Sequence, residues 1–162
     1  TGGKYSVYEG GTRTPFITRW KGRIKPGVSD KVVCTIDLAA SLAKLTGQTI
    51  PREACLDSFD VLEALLGEDD AEGRDHLVQQ DNGKTLSLRS GKWKLHRYGK
   101  KGSARNKVVE TKLANTPVPE FQLFDLENDP SESSNIIGDH PQVATRMKQQ
   151  LERIVSDGRT RE

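Results

Sequence analysis

A lysine near the start of the chain stands among glycines and is the residue whose setting best suits chemistry. The first eleven residues read TGGKYSVYEGG, with two glycines before Lys4 and two more at positions 10 and 11. Glycine lets the backbone approach a ligand closely and adopt positive φ. An ammonium group carried on such a loop meets an anion as a compact charge. Lys4 is therefore the predicted anion contact, although a lysine without this setting is usually a solvated surface residue.

A second set of cations lies on a predicted strand in the second half of the chain. Alternation places Lys92, Lys94 and His96 on the face opposite Trp93 and Leu95. A half-buried strand with a solvated polar face has this pattern, and so does a strand that tracks a polyanion. Under the second interpretation the predicted substrate-binding residues are Lys92, Lys94 and Arg97, and the basic stretch continues through Lys100, Lys101, Arg105 and Lys107.

The remaining candidates favour structural roles. Cys34 and Cys55 have no metal-ligand spacing, and the sequence leaves open whether they form a bridge or remain two thiols. The three histidines are far apart in sequence, so we predict no metal site from them. Turn chemistry and capping account for the aspartates. Asp37 is the expected helix cap, and Asp125 and Asp129 are expected in turns. Gly10–Gly11 should form a tight turn, which we expect the charged pair of Glu9 and Arg13 to stabilise.

Composition excludes some classes of function. The 162 residues are 33% hydrophobic and 30% charged, which is a low apolar content for a free-standing domain. Part of the chain is then loop, or part of its core comes from another segment. A net charge of +2 is too small to predict a nucleic-acid partner, and no platform of several aromatic residues accompanies the basic strand. No apolar run has the length of a membrane span.

Two short helices are predicted in the first half. The first has leucines at i, i+4 and i+7 with a glycine just past its end: Leu38, Leu42, Leu45 and Gly47. The second spans about Phe59 to Leu66 and stops at Gly67. Before them, residues 15–20 and 32–34 have the composition of short strands.

In the second half the apolar period changes to two. Four strands are predicted at about 76–80, 85–89, 92–98 and 121–126, with a hairpin at Asn82–Gly83 and an exposed loop over 99–119. A long helix follows, with an apolar stripe and a terminal glycine: Val143, Met147, Leu151, Ile154, Val155 and Gly158. The predicted fold class is α+β, a small antiparallel four-stranded sheet packed by a long C-terminal helix.

Four pieces, in order, resemble the type I sulfatases, the arylsulfatase-like enzymes of the alkaline-phosphatase superfamily. The first is the lysine segment, with GK at 3–4, YEGGTRTPFI at 8–17 and WKGRIKPG at 20–27. The others are IDL at 36–38 with LTG at 45–47, LRSGKWKL at 88–95, and FDLENDPSE at 124–132 followed by Asn135 and His140–Pro141. The resemblance covers essentially the whole chain. It implies that residues 1–72 are the C-terminal edge of the catalytic α/β domain and 73–162 the small sheet-plus-helix subdomain.

The resemblance also implies a chemistry. Such enzymes hydrolyse sulfate esters with a formylglycine nucleophile made in a C/S-x-P-x-R motif and with Ca²⁺ held by Asp and Asn side chains. This chain contains no such motif. Only Lys4 carries over, as the cation that contacts sulfate. We therefore expect the C-terminal part of a longer sulfatase, inactive by itself, with the calcium ion and formylglycine in a preceding part.

The partners expected from the resemblance are the rest of the catalytic domain and a sulfated small molecule or glycan, with no nucleic acid and no membrane. Apolar groups that would face that domain should be exposed and favour artefactual self-association: Phe16, Ile17 and Val33. Enzymes of this kind are commonly periplasmic, secreted or lysosomal, which favours a periplasmic or secreted location. The alternative is a non-catalytic scaffold or a module that binds sulfated polyanions through the basic strand.

Overall fold

A computed structural model describes residues 2–82, 84–99 and 119–161. The chain divides into two compact units. One, the sheet unit, comprises Thr1–Pro15 and His76–Arg153. The other, the helical unit, comprises Phe16–Asp75 and Ile154–Glu162. The N-terminal segment up to Pro15 thus groups with the later strands, although it is distant from them in sequence.

The sheet unit contains four antiparallel strands in sequential order. They are β1 (His76–Gln80), β2 (Leu86–Ser90), β3 (Trp93–Arg97) and β4 (Phe121–Asp125). The register places three leucines side by side, Leu88 opposite Leu95 and Leu95 opposite Leu123, and all three are fully buried. The predicted β1–β2 hairpin is confirmed, with its ends joined by the Asp81 N–H bond to the carbonyl of Thr85; Gly83 lies outside the described residues.

The face of the sheet that carries these leucines also carries Trp93 and Phe121, since side chains alternate along each strand. The ring of Trp93 lies 4.9 Å from that of His140, and Lys148 Nζ lies 4.3 Å from the ring centroid of Phe121. Lys148 belongs to the last helix, α4 (Pro141–Asp157), and His140 immediately precedes it. This helix, with its buried stripe of Ala144, Met147 and Leu151, agrees with the predicted α+β class.

The opposite face of the sheet is covered by the N-terminal segment. Tyr8 packs edge-on against the ring of His96 at 4.5 Å and lies 5.9 Å from the ring of Phe124. Tyr8, Tyr98 and Phe124 form an apolar cluster there. Lys94 and His96 are consequently fully buried, so the expectation of a solvated face is wrong for both residues. Alternation identifies two faces of a strand but does not reveal what covers each.

The helical unit holds α2 (Leu38–Leu45), preceded by a 3₁₀ turn at Thr35–Asp37, and α3 (Leu62–Leu66). Both predicted helices are confirmed, the second in a shorter form. Gly67 ends α3 in the left-handed conformation, as the stop signal predicts. Residues 15–20 and 32–34 form no strand, so those two predictions are wrong. Ala40 and Ser41 are the buried side of α2, while its leucines are exposed: Leu38, Leu42 and Leu45.

A buried ion pair holds the helical unit together. Asp37 is fully buried and accepts hydrogen bonds from the Cys34 N–H, the Phe59 N–H and the guanidinium of Arg74. Arg74 also donates to the carbonyl oxygen of Asp57 at 3.1 Å. Asp37 is therefore more than the predicted cap, because it ties the start of α2 to segments around residues 57–59 and 74. None of the described helices is both long and apolar enough to cross a bilayer.

Candidate anion-binding segment and the charge cluster that anchors it

The segment that carries Lys4 is a compact loop closed by glycine contacts. The Ser6 N–H donates to the Gly3 carbonyl at 3.1 Å, and Gly2 has a φ of +75°. A methyl group on Gly11 would lie 2.4 Å from the Gly3 carbonyl oxygen and 2.5 Å from that of Ser6. Any side chain at position 11 would therefore push two backbone oxygens away, so the loop requires glycine there.

Lys4 itself is exposed at the surface of this loop. Its ammonium nitrogen lies 4.9 Å from the ring centroid of Tyr5, close enough for a cation–π contact. Tyr5 has a φ of +78°, a conformation that an L side chain adopts only when its surroundings require it. The backbone beside Lys4 is thus held in a defined conformation while the cation remains accessible.

The residues that follow Lys4 are buried and fasten the loop to the sheet. Ser6, Val7 and Tyr8 are all buried. The Tyr8 hydroxyl donates to Gln122 Oε1 at 2.8 Å and accepts a hydrogen bond from the Tyr98 hydroxyl at 2.7 Å. A relay of three side chains from different segments therefore fixes Tyr8, four residues beyond Lys4.

Four ionisable residues, the charge cluster, lie next to this relay: Glu9, Lys94, His96 and Glu132. The Lys94 ammonium donates to Glu9 Oε1 at 2.7 Å and lies 3.3 Å from Glu132 Oε1. Glu132 Oε2 accepts the backbone N–H of Glu9 at 2.5 Å. The side chains of Lys94, His96 and Glu132 have no exposed surface, and that of Glu9 is 11% exposed. One ammonium therefore serves two carboxylates inside the sheet unit.

His96 completes the cluster as a buried imidazole. Its Nε2 lies 3.2 Å from Glu132 Oε1. Burial lowers the pKa of His96 because the charged imidazolium loses its hydration, and this outweighs the effect of the nearby carboxylate. The ring is then neutral at pH 7. Burial by itself would raise the pKa of Glu132, but the contact with His96, the charge of Lys94 and the Glu9 N–H together lower it. Glu132 is consequently ionised.

The cluster corrects one interpretation and adds a feature that was missed. Glu9 pairs with Lys94, and Gly10–Gly11 lie within a short helix, α1 (Glu9–Thr12), not in a tight turn stabilised by a Glu9–Arg13 pair. Sequence reasoning did not connect Glu9 with Lys94 because 85 residues separate them. A usable signal existed: a lysine in the middle of an apolar strand requires a buried carboxylate if that face is covered.

The predicted substrate-binding residues occupy different environments. Lys94 lies in the charge cluster. Lys92 is partly exposed and donates to Asp125 Oδ2 at 2.8 Å. This hydrogen bond raises the pKa of Lys92. Asp125 correspondingly has a pKa lowered to about 2, first of all by the Lys92 hydrogen bond. Arg97 is half-buried at the end of β3. Four further cations of the basic stretch lie outside the described residues: Lys100, Lys101, Arg105 and Lys107.

The acidic turn after β4 is organised by the carboxylate of Asp129. Asp129 accepts the N–H groups of Ser133 and Ser134 at 2.8 and 2.9 Å, as turn chemistry predicts. Within residues 2–82, 84–99 and 119–161, no group of three or more His, Cys, Asp or Glu side chains is arranged to hold a metal ion. Cys34 and Cys55 are both free thiols.

The four-stranded sheet, its helical layer and the glycine-supported lysine loop form the α+β arrangement that the sulfatase resemblance implies, and comparison with known proteins supports that resemblance. The family described as "N-sulphoglucosamine sulphohydrolase, C-terminal" matches residues 3–157. The chain belongs to this family of C-terminal sulfatase portions.

Individual relatives cover most of this chain. It is 41% identical over 155 residues to an N-acetylgalactosamine-6-O-sulfatase of Bacteroides thetaiotaomicron, covering 94% of this chain and 29% of the relative. It is 31% identical over 160 residues to human arylsulfatase A, and the match covers 91% of this chain and 31% of the relative. A solved structure, whose description concerns the metabolism of multiple glycosaminoglycans by Bacteroides thetaiotaomicron, superposes with a TM-score of 0.83 at 38% identity. This match covers 94% of this chain and 31% of that structure's chain. The chain thus spans about 30% of the length of these relatives.

Proposed function

We propose that this chain is the C-terminal portion of a sulfatase that hydrolyses sulfate esters, with Lys4 as the cation that contacts the sulfate group. Membership of the sulfatase C-terminal family supports the reaction class. The observation that carries the assignment of Lys4 is its setting: an exposed ammonium on a loop whose backbone is fixed by Gly2, Gly11 and the buried Tyr8.

The role proposed for Lys4 is electrostatic. During hydrolysis of a sulfate ester, negative charge grows on the sulfate oxygens and on the departing ester oxygen. A cation that is already in place stabilises this charge without reorganising at the moment of reaction. A flexible surface lysine would lose part of this benefit, because its side chain would have to be ordered first.

The sulfatase resemblance implies a formylglycine nucleophile and a calcium ion, and the described residues provide a site for neither. The chain contains no C/S-x-P-x-R motif, and the described residues do not assemble a metal site. We propose that formylglycine and Ca²⁺ belong to another part of the complete protein. That part is also the proposed neighbour of the exposed apolar groups in the helical unit, among them Phe16 and Ile17, which would otherwise favour self-association. Val33 was expected to be exposed with them, but it is half-buried.

The proposed substrate is a sulfated sugar or a sulfated small molecule. A relative with 41% identity is named for N-acetylgalactosamine 6-O-sulfate, and the structural neighbour with a TM-score of 0.83 belongs to glycosaminoglycan metabolism. Lys92 and Arg97 remain proposed substrate contacts, each partly accessible at either end of β3. A direct contact by Lys94 is less favourable, because its ammonium is buried against two carboxylates.

The experiment that tests this function uses the complete sulfatase that carries this chain. Lys4→Ala should lower kcat for an aryl sulfate by about 100-fold or more, the usual loss when one preorganised stabilising group is removed. Lys21→Ala, another exposed lysine, is the control and should retain activity. A Lys4→Ala enzyme that turns over at the normal rate would refute the role of Lys4. A complete protein without sulfatase activity would refute the reaction class.

A further inference from the structure

The charge cluster joins three segments that are distant in sequence. Glu9 belongs to the loop segment that carries Lys4, Lys94 and His96 belong to β3, and Glu132 follows β4. Both the side chain and the backbone N–H of Glu9 are engaged, the first by Lys94 and the second by Glu132. Glu9 is therefore held at two points, and it lies only five residues after Lys4.

Two features indicate that the cluster has a purpose beyond filling space. An ion pair in the interior is a poor stabiliser compared with apolar residues of similar volume, since the charges lose their hydration. Glu132 also has a φ of +53°, which an L residue adopts only when its surroundings hold it there. Strained backbone clusters at sites where a geometry has to be held, and buried ionic groups specify a single arrangement in some proteins.

We propose that Glu9, Lys94 and Glu132 are positioning residues for the reaction: they hold the Lys4 loop at a set distance from the sheet, so that the ammonium of Lys4 is fixed in place for the sulfate group. This inference rests on the proposed role of Lys4. It assigns no contact with substrate to the cluster, which acts entirely through Lys4.

The test is a double-mutant cycle in the complete sulfatase. Glu9→Gln removes the charge that Lys94 binds while keeping the shape of the side chain, and it should lower kcat at least tenfold with little change in KM. In a Lys4→Ala background the same substitution should change kcat less than twofold, because there is no longer an ammonium to position. A role in folding alone would lower activity equally in both backgrounds.

A matched control is available in the helical unit. The Lys44 ammonium lies 2.7 Å from Glu63 Oε1, the same distance as in the Lys94–Glu9 pair, but both side chains are exposed. Glu63→Gln should leave kcat within twofold of normal in both backgrounds. Where Glu9→Gln folds poorly, Glu9→Gln/Lys94→Met/Glu132→Gln removes all three charges and leaves no unpaired charge in the interior. It should show the same dependence on Lys4.

The outcomes separate the two proposals. Equal fold-losses from Glu9→Gln with and without Lys4 would overturn the positioning role and leave Lys4 as a sulfate contact. A Lys4→Ala enzyme with normal kcat would overturn the proposed role of Lys4, and the positioning role with it. A loss that depends on Lys4 supports both.

Discussion

Replacement of Lys94 by methionine is the most demanding test of the charge cluster in this chain. Methionine keeps the unbranched aliphatic body of lysine, so the substitution removes the ammonium with little change in packing. The ammonium is fully buried and contacts Glu9 Oε1 at 2.7 Å and Glu132 Oε1 at 3.3 Å. Without it, two carboxylates lie close together beside a neutral imidazole.

The magnitude follows from burial. Removing one partner of a buried ion pair costs about 3–5 kcal/mol, because the remaining charge stays in the interior without compensation. With a urea slope of about 2 kcal/mol per M, that loss lowers the denaturation midpoint by about 2 M. A domain is stable by only about 5–15 kcal/mol, so the effect is a large fraction of the total. Lys44→Met, which removes an exposed partner, should leave the midpoint nearly unchanged.

The loss should also depend on pH. The pKa of His96 is lowered in the folded chain, so the unfolded state takes up the proton more readily and stability falls as pH drops below about 6.5. The pKa of Glu132 is lowered as well, so its contribution is present above about 4.5 and disappears below it. In Lys94→Met the repulsion from Lys94 no longer disfavours the imidazolium, and protonation then compensates the carboxylates. The difference in free energy of unfolding between the unsubstituted chain and Lys94→Met should therefore become smaller from pH 7 to pH 4.

The assay is urea denaturation of both chains at several pH values, followed by circular dichroism. A loss below about 1 kcal/mol at pH 7 would refute the reasoning, because it would place Lys94 in the range of a surface pair. A loss of constant size between pH 7 and pH 4 would show that packing, and not charge, is responsible.

Three further predictions concern the loop, the isolated chain and the basic strand. Gly11→Ala should destabilise the chain by several kcal/mol in urea denaturation, since its methyl group would lie 2.4 Å from a backbone oxygen, whereas Gly138→Ala, with open space around it, should be tolerated; equal stability of the two would contradict the close approach. The pure 162-residue chain should not hydrolyse an aryl sulfate, because it lacks a C/S-x-P-x-R motif, and measurable turnover would overturn that expectation. Arg97→Gln should lower the salt needed for elution from a heparin column more than Lys92→Gln does, since Lys92 is already paired with Asp125; unchanged elution of both would argue against substrate contacts on this strand.

Local signals were sufficient for much of the fold. The four strands and the last helix follow from short-range alternation, the 3.6-residue period and Gly158, which ends the helix with a φ of +66°. Long-range contacts were not predictable in this way. The apolar segments 15–20 and 32–34 were expected to be strands, but no partner strand pairs with them in the described part of the chain. The leucine stripe of α2 marks an apolar face that the described residues leave exposed.

In the candidate site, too, local signals supported a prediction while the long-range contacts were not predicted. Lys4 stays a prediction, and it was singled out because its glycine neighbours mark a special backbone, which is local information. Its anchor was not identified, because Glu9, Lys94 and Glu132 meet only when the N-terminal segment lies across the sheet. A strand that alternates Lys, Leu and His is compatible with solvent on one face, and also with a second layer that supplies carboxylates. The buried position of Lys94 shows that a second layer covers this face, since an ammonium is buried only where carboxylates pair with it.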